Sequence, residues 1–185
     1  GGQNAMIADS TALPEQLVMD VLASAFQSAG QRCSALRVLY IQNDVADHVL
    51  RMLAGAMETL VLGDPGQLST DVGPVIDADA RAALLAHIDA LRAAGNRVIA
   101  EARLPQEAAH GTFVAPIAVE VEGMHVLEKE HFGPILHVVR YAASDLDRVI
   151  AAINDSGYGL TLGVHTRIDS VAEAIAARVR VGNVY

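Results

Sequence analysis

The most reactive side chain in the sequence is that of Cys33, which lies within the run Gly30-Gln31-Arg32-Cys33-Ser34. The chain contains no other cysteine, so Cys33 cannot form an internal disulfide, and a lone cysteine is most often a small buried apolar residue. Here the polar neighbours indicate a turn that follows a helix-ending glycine. The cation of Arg32 favours the thiolate, the form that attacks electrophilic carbon, unless Arg32 is simply a solvated surface charge. The run therefore predicts a nucleophile at Cys33.

A second segment with chemical potential is Glu130-His131-Phe132-Gly133-Pro134, which places a carboxylate and an aromatic ring beside a Gly-Pro turn. Taken alone, this segment is typical of a solvated loop acid followed by a core aromatic residue. The seven histidines of the chain are scattered without metal-ligand spacing. The sequence therefore predicts no metal site.

Composition limits the classes of protein to which the chain can belong. Its 185 residues, 52% of them hydrophobic, are enough for one domain with a sizeable core. The net charge of −9, without any cluster of Lys and Arg, argues against a nucleic-acid surface. No uncharged apolar run approaches the roughly 18–20 residues of a membrane span. A lone cysteine is also consistent with a reducing compartment, so we expect a cytoplasmic protein.

The elements that must position these residues alternate between strand and helix periodicity along the whole chain, which predicts an α/β fold. We expect helices on both faces of a mostly parallel sheet, in three α/β/α layers. Strands are predicted at residues 4–8, 37–41, 97–100, 113–121, 135–141, 160–166 and from 183, and helices at residues 14–30, from 44 to about 60, 80–95, from 144 and 169–178.

Six segments, in the same order along the chain, resemble the signatures of aldehyde dehydrogenases. A single match such as a Gly-Pro pair would carry no weight, but the six together cover essentially the whole chain. The segments are Gly1-Gly2-Gln3-Asn4, Gly30-Gln31-Arg32-Cys33, Gly73-Pro74, Glu130-His131-Phe132-Gly133-Pro134, Asn154 with Tyr158-Gly159-Leu160, and Gly182-Asn183-Val184-Tyr185.

Within that family, residues 1–7, 23–38 and 133–141 resemble the glutamate-semialdehyde (1-pyrroline-5-carboxylate) dehydrogenase part of bifunctional proline utilization A enzymes. The resemblance implies NAD-dependent oxidation of L-glutamate γ-semialdehyde to glutamate in proline catabolism, through a thiohemiacetal and a thioester on Cys33. The small-molecule aldehyde and NAD are the implied ligands, and the preference for NAD over NADP stays open. FAD is expected only in a separate proline dehydrogenase domain, if the parent protein is bifunctional.

The resemblance also implies roles for individual residues. Glu130 would hold the nicotinamide ribose by hydrogen bonds and Phe132 by apolar contact. Ser34 would help to hold the substrate carboxylate, for which a hydroxyl donor is suitable, although a serine that only stabilises the turn is equally consistent. Asn154 is expected to fix neighbouring backbone, and His131 is given no catalytic role.

Residues 1–185 as a whole are expected to be the nucleophile-bearing catalytic domain of a longer protein. The resemblance places several parts of the site outside the chain: the cofactor-binding domain, a general-base glutamate before Gly1, a second oxyanion donor and a loop for the substrate carboxylate. The parent is expected to be a homo-oligomer through an arm that is also outside. We expect the isolated chain to fold without turning over.

Three other interpretations remain open from the sequence. The parent could oxidise a different aldehyde. Cys33 could form a thioester in an acyl-transfer reaction without hydride transfer, although the segment at Glu130 disfavours this. The chain could also be a noncatalytic scaffold that binds a partner.

Overall fold

Seven β-strands form one sheet in the computed structural model, which describes residues 2–185. Their order across the sheet is β3-β4-β5-β2-β1-β6-β7, and only the pair β3–β4 is antiparallel. The predicted mostly parallel sheet is confirmed. The strands are β1 Asn4–Ala8, β2 Leu36–Gln42, β3 Arg97–Glu101, β4 Ile117–Glu120, β5 Ile135–Tyr141, β6 Thr161–His165 and β7 Asn183–Val184.

Helices cover both faces of this sheet. In the order of strands across the sheet, the connection from β1 to β2 runs in one direction and the connection from β5 to β6 runs in the other. Because crossovers between parallel strands are right-handed, the helices in these two connections, α1 and α4, lie on opposite faces of the sheet. α2 packs against α1, whereas α4 packs against a short 3-10 turn at Met124–Val126. The three-layer α/β/α architecture is therefore confirmed. The helices are α1 Pro14–Phe26, α2 Asn43–Glu58, α3 Ala78–Ala93, α4 Leu146–Asp155 and α5 Asp169–Ala176.

The centre of the sheet forms the core. β1 and β2 are buried along their whole length, and β5 is buried except at Arg140, so both faces of these strands are covered. Strands of this kind read as continuous apolar runs instead of alternating ones. The edge strands β3 and β7 are more exposed. Within residues 2–185, no helix combines the length and the apolar character needed to cross a bilayer.

Most element boundaries differ from the sequence prediction by one or two residues, and two of the differences have a local cause. The strand expected at 113–121 is shortened to Ile117–Glu120 because Pro116 has no N–H to donate to a ladder. The helix expected from residue 144 begins with a 3-10 turn at Ala143–Asp145, and its N-cap residue makes no side-chain cap.

The end of the first helix also differs. α1 stops at Phe26, and a tight turn at Gln27–Gly30 follows it. Ser28, Ala29 and Gly30 in this turn have φ values of 56°, 52° and 66°, in the left-handed region that non-glycine residues rarely occupy. The turn reverses the chain direction, so that residues 31–35 run back toward the start of β2.

The amino ends of the parallel strands meet at one edge of the sheet, which we call the amino edge. Gly2 precedes β1, Cys33 precedes β2, Glu130 precedes β5 and Gly159 precedes β6. Four of the sequence signatures are therefore gathered at the amino edge by the parallel topology.

Asn154 has the architectural role expected for it. At the end of α4 its amide donates to the carbonyl oxygen of Arg178 at 2.9 Å, and its side-chain oxygen accepts from the backbone N–H of Arg180 at 2.7 Å. These bonds fix the segment that leads into β7.

Candidate active site

Cys33 lies exposed in the segment between the left-handed turn and β2, which we call the Cys33 turn and define as residues 31–35. Its position is set by main-chain contacts. The side-chain amide of Asn4 donates to the carbonyl oxygens of Cys33 and Ala35, both at 2.8 Å, while its oxygen accepts from the N–H of Thr161 at 3.1 Å. Asn4 is only 4% exposed, so one buried amide attaches the Cys33 turn to β1 and β6.

Gly2 lies against the same carbonyl group. A Cβ added at Gly2 would stand 2.2 Å from the carbonyl oxygen of Cys33, closer than atoms can approach. The backbone N–H of Gly2 donates to Oε2 of Glu130 at 3.1 Å. Gly2 therefore contacts both the Cys33 turn and the Glu130 segment, and it must be a glycine for this reason.

Gln31 attaches the Cys33 turn on another side. Its amide donates to the carbonyl oxygen of Pro74 at 3.3 Å, and its side-chain oxygen accepts from the N–H of Ile76 at 2.8 Å. The same amide also donates to the carbonyl oxygen of Ser28 at 3.2 Å. These bonds give a physical reason for the Gly73-Pro74 signature, which borders the turn.

Arg37, the second residue of β2, joins the Cys33 turn to residues 130–133, the segment that we call the Glu130 loop. Its guanidinium donates to the carbonyl oxygen of Gly133 at 3.0 Å and to that of Arg32 at 3.3 Å. The residue is 1% exposed, and burial lowers its pKa to about 10 although the charge of Glu130 opposes this. Arg37 is therefore still a cation at neutral pH.

Glu130 and Phe132 both face this cation. Oε1 of Glu130 lies 3.7 Å from an Arg37 nitrogen and, although buried, has no hydrogen-bond partner among the described residues. The ring of Phe132 lies 5.1 Å from the guanidinium carbon and the residue is 44% exposed. The loop therefore carries a carboxylate that is largely buried beside a cation and an aromatic ring that is partly open.

The left-handed turn touches the Glu130 loop directly. A Cβ added at Gly30 would stand 2.2 Å from the carbonyl oxygen of Gly133. Cys33 and Glu130 come from segments almost one hundred positions apart, and the structure brings these segments into contact at the amino edge.

Ser34 and Arg32, the two neighbours of Cys33, line a cavity of about 510 Å³ between α1 and the strands β1 and β6. Asp20 and His165, which pair at 3.1 Å, lie on its wall, and Tyr185 lies at the chain's end beside it. Arg32 donates to the carbonyl oxygen of Ala23 at 3.1 Å, and its buried Nε has no hydrogen-bond partner among residues 2–185. The cavity thus offers a guanidinium and a hydroxyl to a ligand that bears a carboxylate.

A larger cavity of about 610 Å³ lies between α4 and the sheet, lined by residues that include Tyr40, Val139 and Tyr141. It contains none of the site residues predicted from the sequence. Size alone does not identify the site here.

Three histidines that are scattered in the sequence meet behind the Glu130 loop. The rings of His131 and His87 stack with centroids 3.5 Å apart, and Nε2 of His87 lies 2.9 Å from Nε2 of His137. Nδ1 of His137 lies 2.9 Å from the carbonyl oxygen of Arg37, which can only accept, so Nδ1 carries the proton. A neutral His137 must then accept at Nε2 from His87.

Burial keeps this cluster uncharged. Desolvation is the largest cause that lowers the pKa of His137 to about 3 and that of His131 to about 4, and it also lowers the pKa of His87. The cations of Lys129 and Arg37 act in the same direction on His131. Among residues 2–185, no group of three His, Cys, Asp or Glu side chains has a geometry that could hold a metal ion.

Sequence reasoning missed the residues that hold the site together. Gly2, Asn4 and Gln31 lie inside the signatures without a predicted role of their own, and the sequence predicts Arg37 only as the start of a strand. The signal for Arg37 was a charged side chain inside the apolar run Leu36–Gln42, since buried charge in a central strand requires a partner.

The fold and the amino-edge site define the class of protein. The sequence model of the aldehyde dehydrogenase family matches residues 1–185, and the chain belongs to this family.

Particular relatives are similar over the whole chain. The bifunctional protein PutA of Klebsiella aerogenes is 57% identical, and the match covers 100% of this chain and 14% of the relative. A 1-pyrroline-5-carboxylate dehydrogenase of Geobacillus kaustophilus is 31% identical, with 35% of the relative covered. A crystal structure of a Bradyrhizobium japonicum proline utilization A (PutA) mutant has a TM-score of 0.95 and 54% identity, covering 100% of this chain and 18% of that one.

Replacing Gly30 with alanine tests the contact between the left-handed turn and the Glu130 loop. Gly30→Ala forces a Cβ against the carbonyl of Gly133 in addition to an unfavourable positive φ, so it should lower the free energy of unfolding by clearly more than about 1 kcal/mol. Gly95→Ala is the matched control because Gly95 also has a positive φ, 81°, but open space around it. Equal losses for the two variants in urea denaturation would contradict the close approach.

The histidine cluster makes stability depend on pH. The unfolded chain has histidine pKa values near 6.5, above the folded values, so the stability from the neutral cluster is present above about pH 6.5. This stability is lost as the pH falls through the folded pKa values of His131, about 4, and His137, about 3. His131→Phe keeps a ring for stacking but removes one proton site.

This variant should lose on the order of 1 kcal/mol less between pH 6.5 and pH 4 than the unsubstituted chain, a figure that allows for solvent screening. Denaturation curves at a series of pH values give the measurement. His48→Gln, at an exposed position of α2, is the control and should follow the unsubstituted chain. A parallel pH dependence for His131→Phe would show that the cluster does not contribute.

Proposed function

We propose that this chain is the nucleophile-bearing domain of an NAD-dependent aldehyde dehydrogenase that oxidises L-glutamate γ-semialdehyde to glutamate in proline catabolism. The observation that carries the proposal is the contact at the amino edge between the turn of an exposed cysteine and a loop that carries a partly accessible carboxylate and an exposed aromatic ring. A nucleophile and a group suited to bind a ribose hydroxyl thus lie on adjoining segments.

Cys33 is the proposed nucleophile. Its thiolate adds to the aldehyde carbon, forming a C–S bond while the C=O electron pair moves onto oxygen. The backbone N–H of Cys33 donates to that oxygen as its charge develops. This gives a thiohemiacetal covalently attached to the chain.

Glu130 and Phe132 are the proposed ligands of the nicotinamide ribose. The carboxylate of Glu130, whose side chain is 13% exposed, would accept from a ribose hydroxyl, and the exposed ring of Phe132 offers an apolar surface. NAD, when bound, supplies the hydride acceptor that converts the thiohemiacetal into a thioester. The chain's own contribution is to hold these two side chains beside the Cys33 turn.

Hydrolysis of the thioester needs a base to activate water, and we assign that base to a glutamate of the parent protein outside residues 1–185. The cofactor-binding domain and a second oxyanion donor are assigned to the parent in the same way. The chain spans 14% of the length of the PutA relative, which is consistent with a division of the site between domains. We therefore do not expect the isolated chain to oxidise aldehydes.

The substrate proposal rests on the carboxylate. Ser34 supplies a hydroxyl and Arg32 a guanidinium to the cavity beside Cys33, and L-glutamate γ-semialdehyde carries a carboxylate that both can bind. The names of the relatives, PutA and 1-pyrroline-5-carboxylate dehydrogenase, support the same substrate. We further propose a cytoplasmic, homo-oligomeric parent, for which the free thiol of Cys33 is consistent with a reducing compartment.

The nucleophile assignment is tested in the full-length protein that carries this chain. Cys33→Ser should abolish NADH formation from the aldehyde, because an unactivated hydroxyl does not replace a thiolate. NAD affinity, measured by titration calorimetry on the same variant, should be unchanged and shows that the site is intact. Retained turnover would refute the assignment of Cys33.

The ribose assignment is tested by Glu130→Ala in the same protein. Loss of the carboxylate should lower the rate at saturating NAD by about a hundredfold, because an unoriented acceptor loses the proximity effect. Glu128→Ala, at an exposed position two residues earlier, is the matched control and should leave the rate unchanged. An unchanged rate in Glu130→Ala would favour a solvated loop acid.

A further inference from the structure

Arg37 is a buried cation to which neither the sequence nor the proposed chemistry assigns a task. It is 1% exposed in the central strand of the sheet, and its Nε has no partner within the described residues. Removing a charge from water costs several kcal/mol, and replacing a buried ion pair with apolar residues is often neutral or stabilising. Arg37 is therefore a poor choice for the stability of the core, and we look for its role in the groups to which it donates hydrogen bonds.

The guanidinium holds two different carbonyl groups. Nη1 donates to the carbonyl oxygen of Gly133 in the Glu130 loop, and Nη2 donates to that of Arg32 in the Cys33 turn. The guanidinium is planar and rigid, so the two carbonyl groups are fixed relative to each other as well as to β2.

The second of these bonds acts on the oxyanion donor. The carbonyl oxygen of Arg32 and the N–H of Cys33 belong to one planar trans peptide group and point in opposite directions. That oxygen accepts from the N–H of Ala35 at 3.1 Å and from Arg37 at 3.3 Å. The bond from Arg37 adds a second direction of restraint to the one within the turn, and together the two bonds fix the direction of the Cys33 N–H. The bond from Arg37 also polarises the peptide, which makes this N–H a better donor.

We propose that Arg37 is a positioning residue that directs the Cys33 N–H toward the reacting oxygen. Through its bond to Gly133 and its attraction to the charge of Glu130, it also holds the ribose-binding loop at a fixed distance from the Cys33 turn. This inference rests on the proposed function. One buried side chain would thus set the separation between the nucleophile and the hydride acceptor.

The test uses Arg37→Lys in the full-length protein, because lysine keeps the charge but cannot donate in a fork to both carbonyl groups. We expect kcat to fall about tenfold or more and the KM for NAD to rise, since misplacement of the reacting groups is costly. The deuterium isotope effect with an aldehyde labelled at the reacting carbon should increase. Iodoacetamide should still alkylate Cys33 at nearly the original rate.

Arg140→Lys is the matched control. Arg140 is another arginine of a central strand, 23% exposed, that pairs with Glu120 at 2.9 Å and Asp47 at 2.7 Å, but it lies near the other end of β5, away from the amino edge. Its substitution should change neither the KM for NAD nor the isotope effect. A purely structural role for Arg37 would reduce the titratable Cys33 without changing these two quantities, and that result would overturn the proposal.

Two further outcomes complete the test. If Arg37→Lys does not fold, Arg37→Gln, which can still donate to one carbonyl group, is compared instead. Loss of folding in both variants, with Arg140→Lys intact, would assign Arg37 to stability alone and overturn the proposal. If the unsubstituted protein does not oxidise the aldehyde, or Cys33→Ser still does, the proposed function itself fails, and this result is distinct from an unchanged Arg37→Lys.

Discussion

Backbone carbonyl oxygens of the Cys33 turn and of the segments that border it need hydrogen-bond donors, and three side chains supply them. Asn4, Gln31 and Arg37 each donate to at least two carbonyl groups, and each reaches from the turn or its neighbouring strands to a different segment. A turn between a helix and a strand lacks ladder partners, and unpaired buried carbonyl groups are unfavourable. The need to satisfy these groups therefore joins Cys33 to β1, to residues 74–76 and to the Glu130 loop.

The location of the site follows from the same contacts. In open α/β sheets, ligands usually bind beyond the carboxyl ends of the strands. Here the candidate residues precede β1, β2 and β5 and therefore lie at the amino edge. The loops at this edge enter strands whose register is fixed by the core, so small changes in the loops are resisted by the whole sheet.

The fold could be predicted from the sequence because its signals are local. Apolar runs at 4–8 and 135–141 gave strands with the observed bounds. The site could be predicted only in part. Cys33, Ser34, Glu130 and Phe132 were named through the resemblance, but the contacts that join their segments span about thirty to one hundred and thirty positions and depend on the crossover pattern. The histidine cluster could not be predicted from the sequence for the same reason, because His87, His131 and His137 meet only when α3 packs against the Glu130 loop.

The Cys33 turn is attached through main-chain atoms, and this separates where residue 33 lies from what it is. Each contact described for Cys33 in this turn uses its carbonyl oxygen, while the side chain is exposed. The backbone geometry of the turn at residue 33 therefore does not depend on the side chain at that position. Other reactive side chains of similar size could be installed at this position without rebuilding the support, so the amino edge is suited as a scaffold for new covalent chemistry.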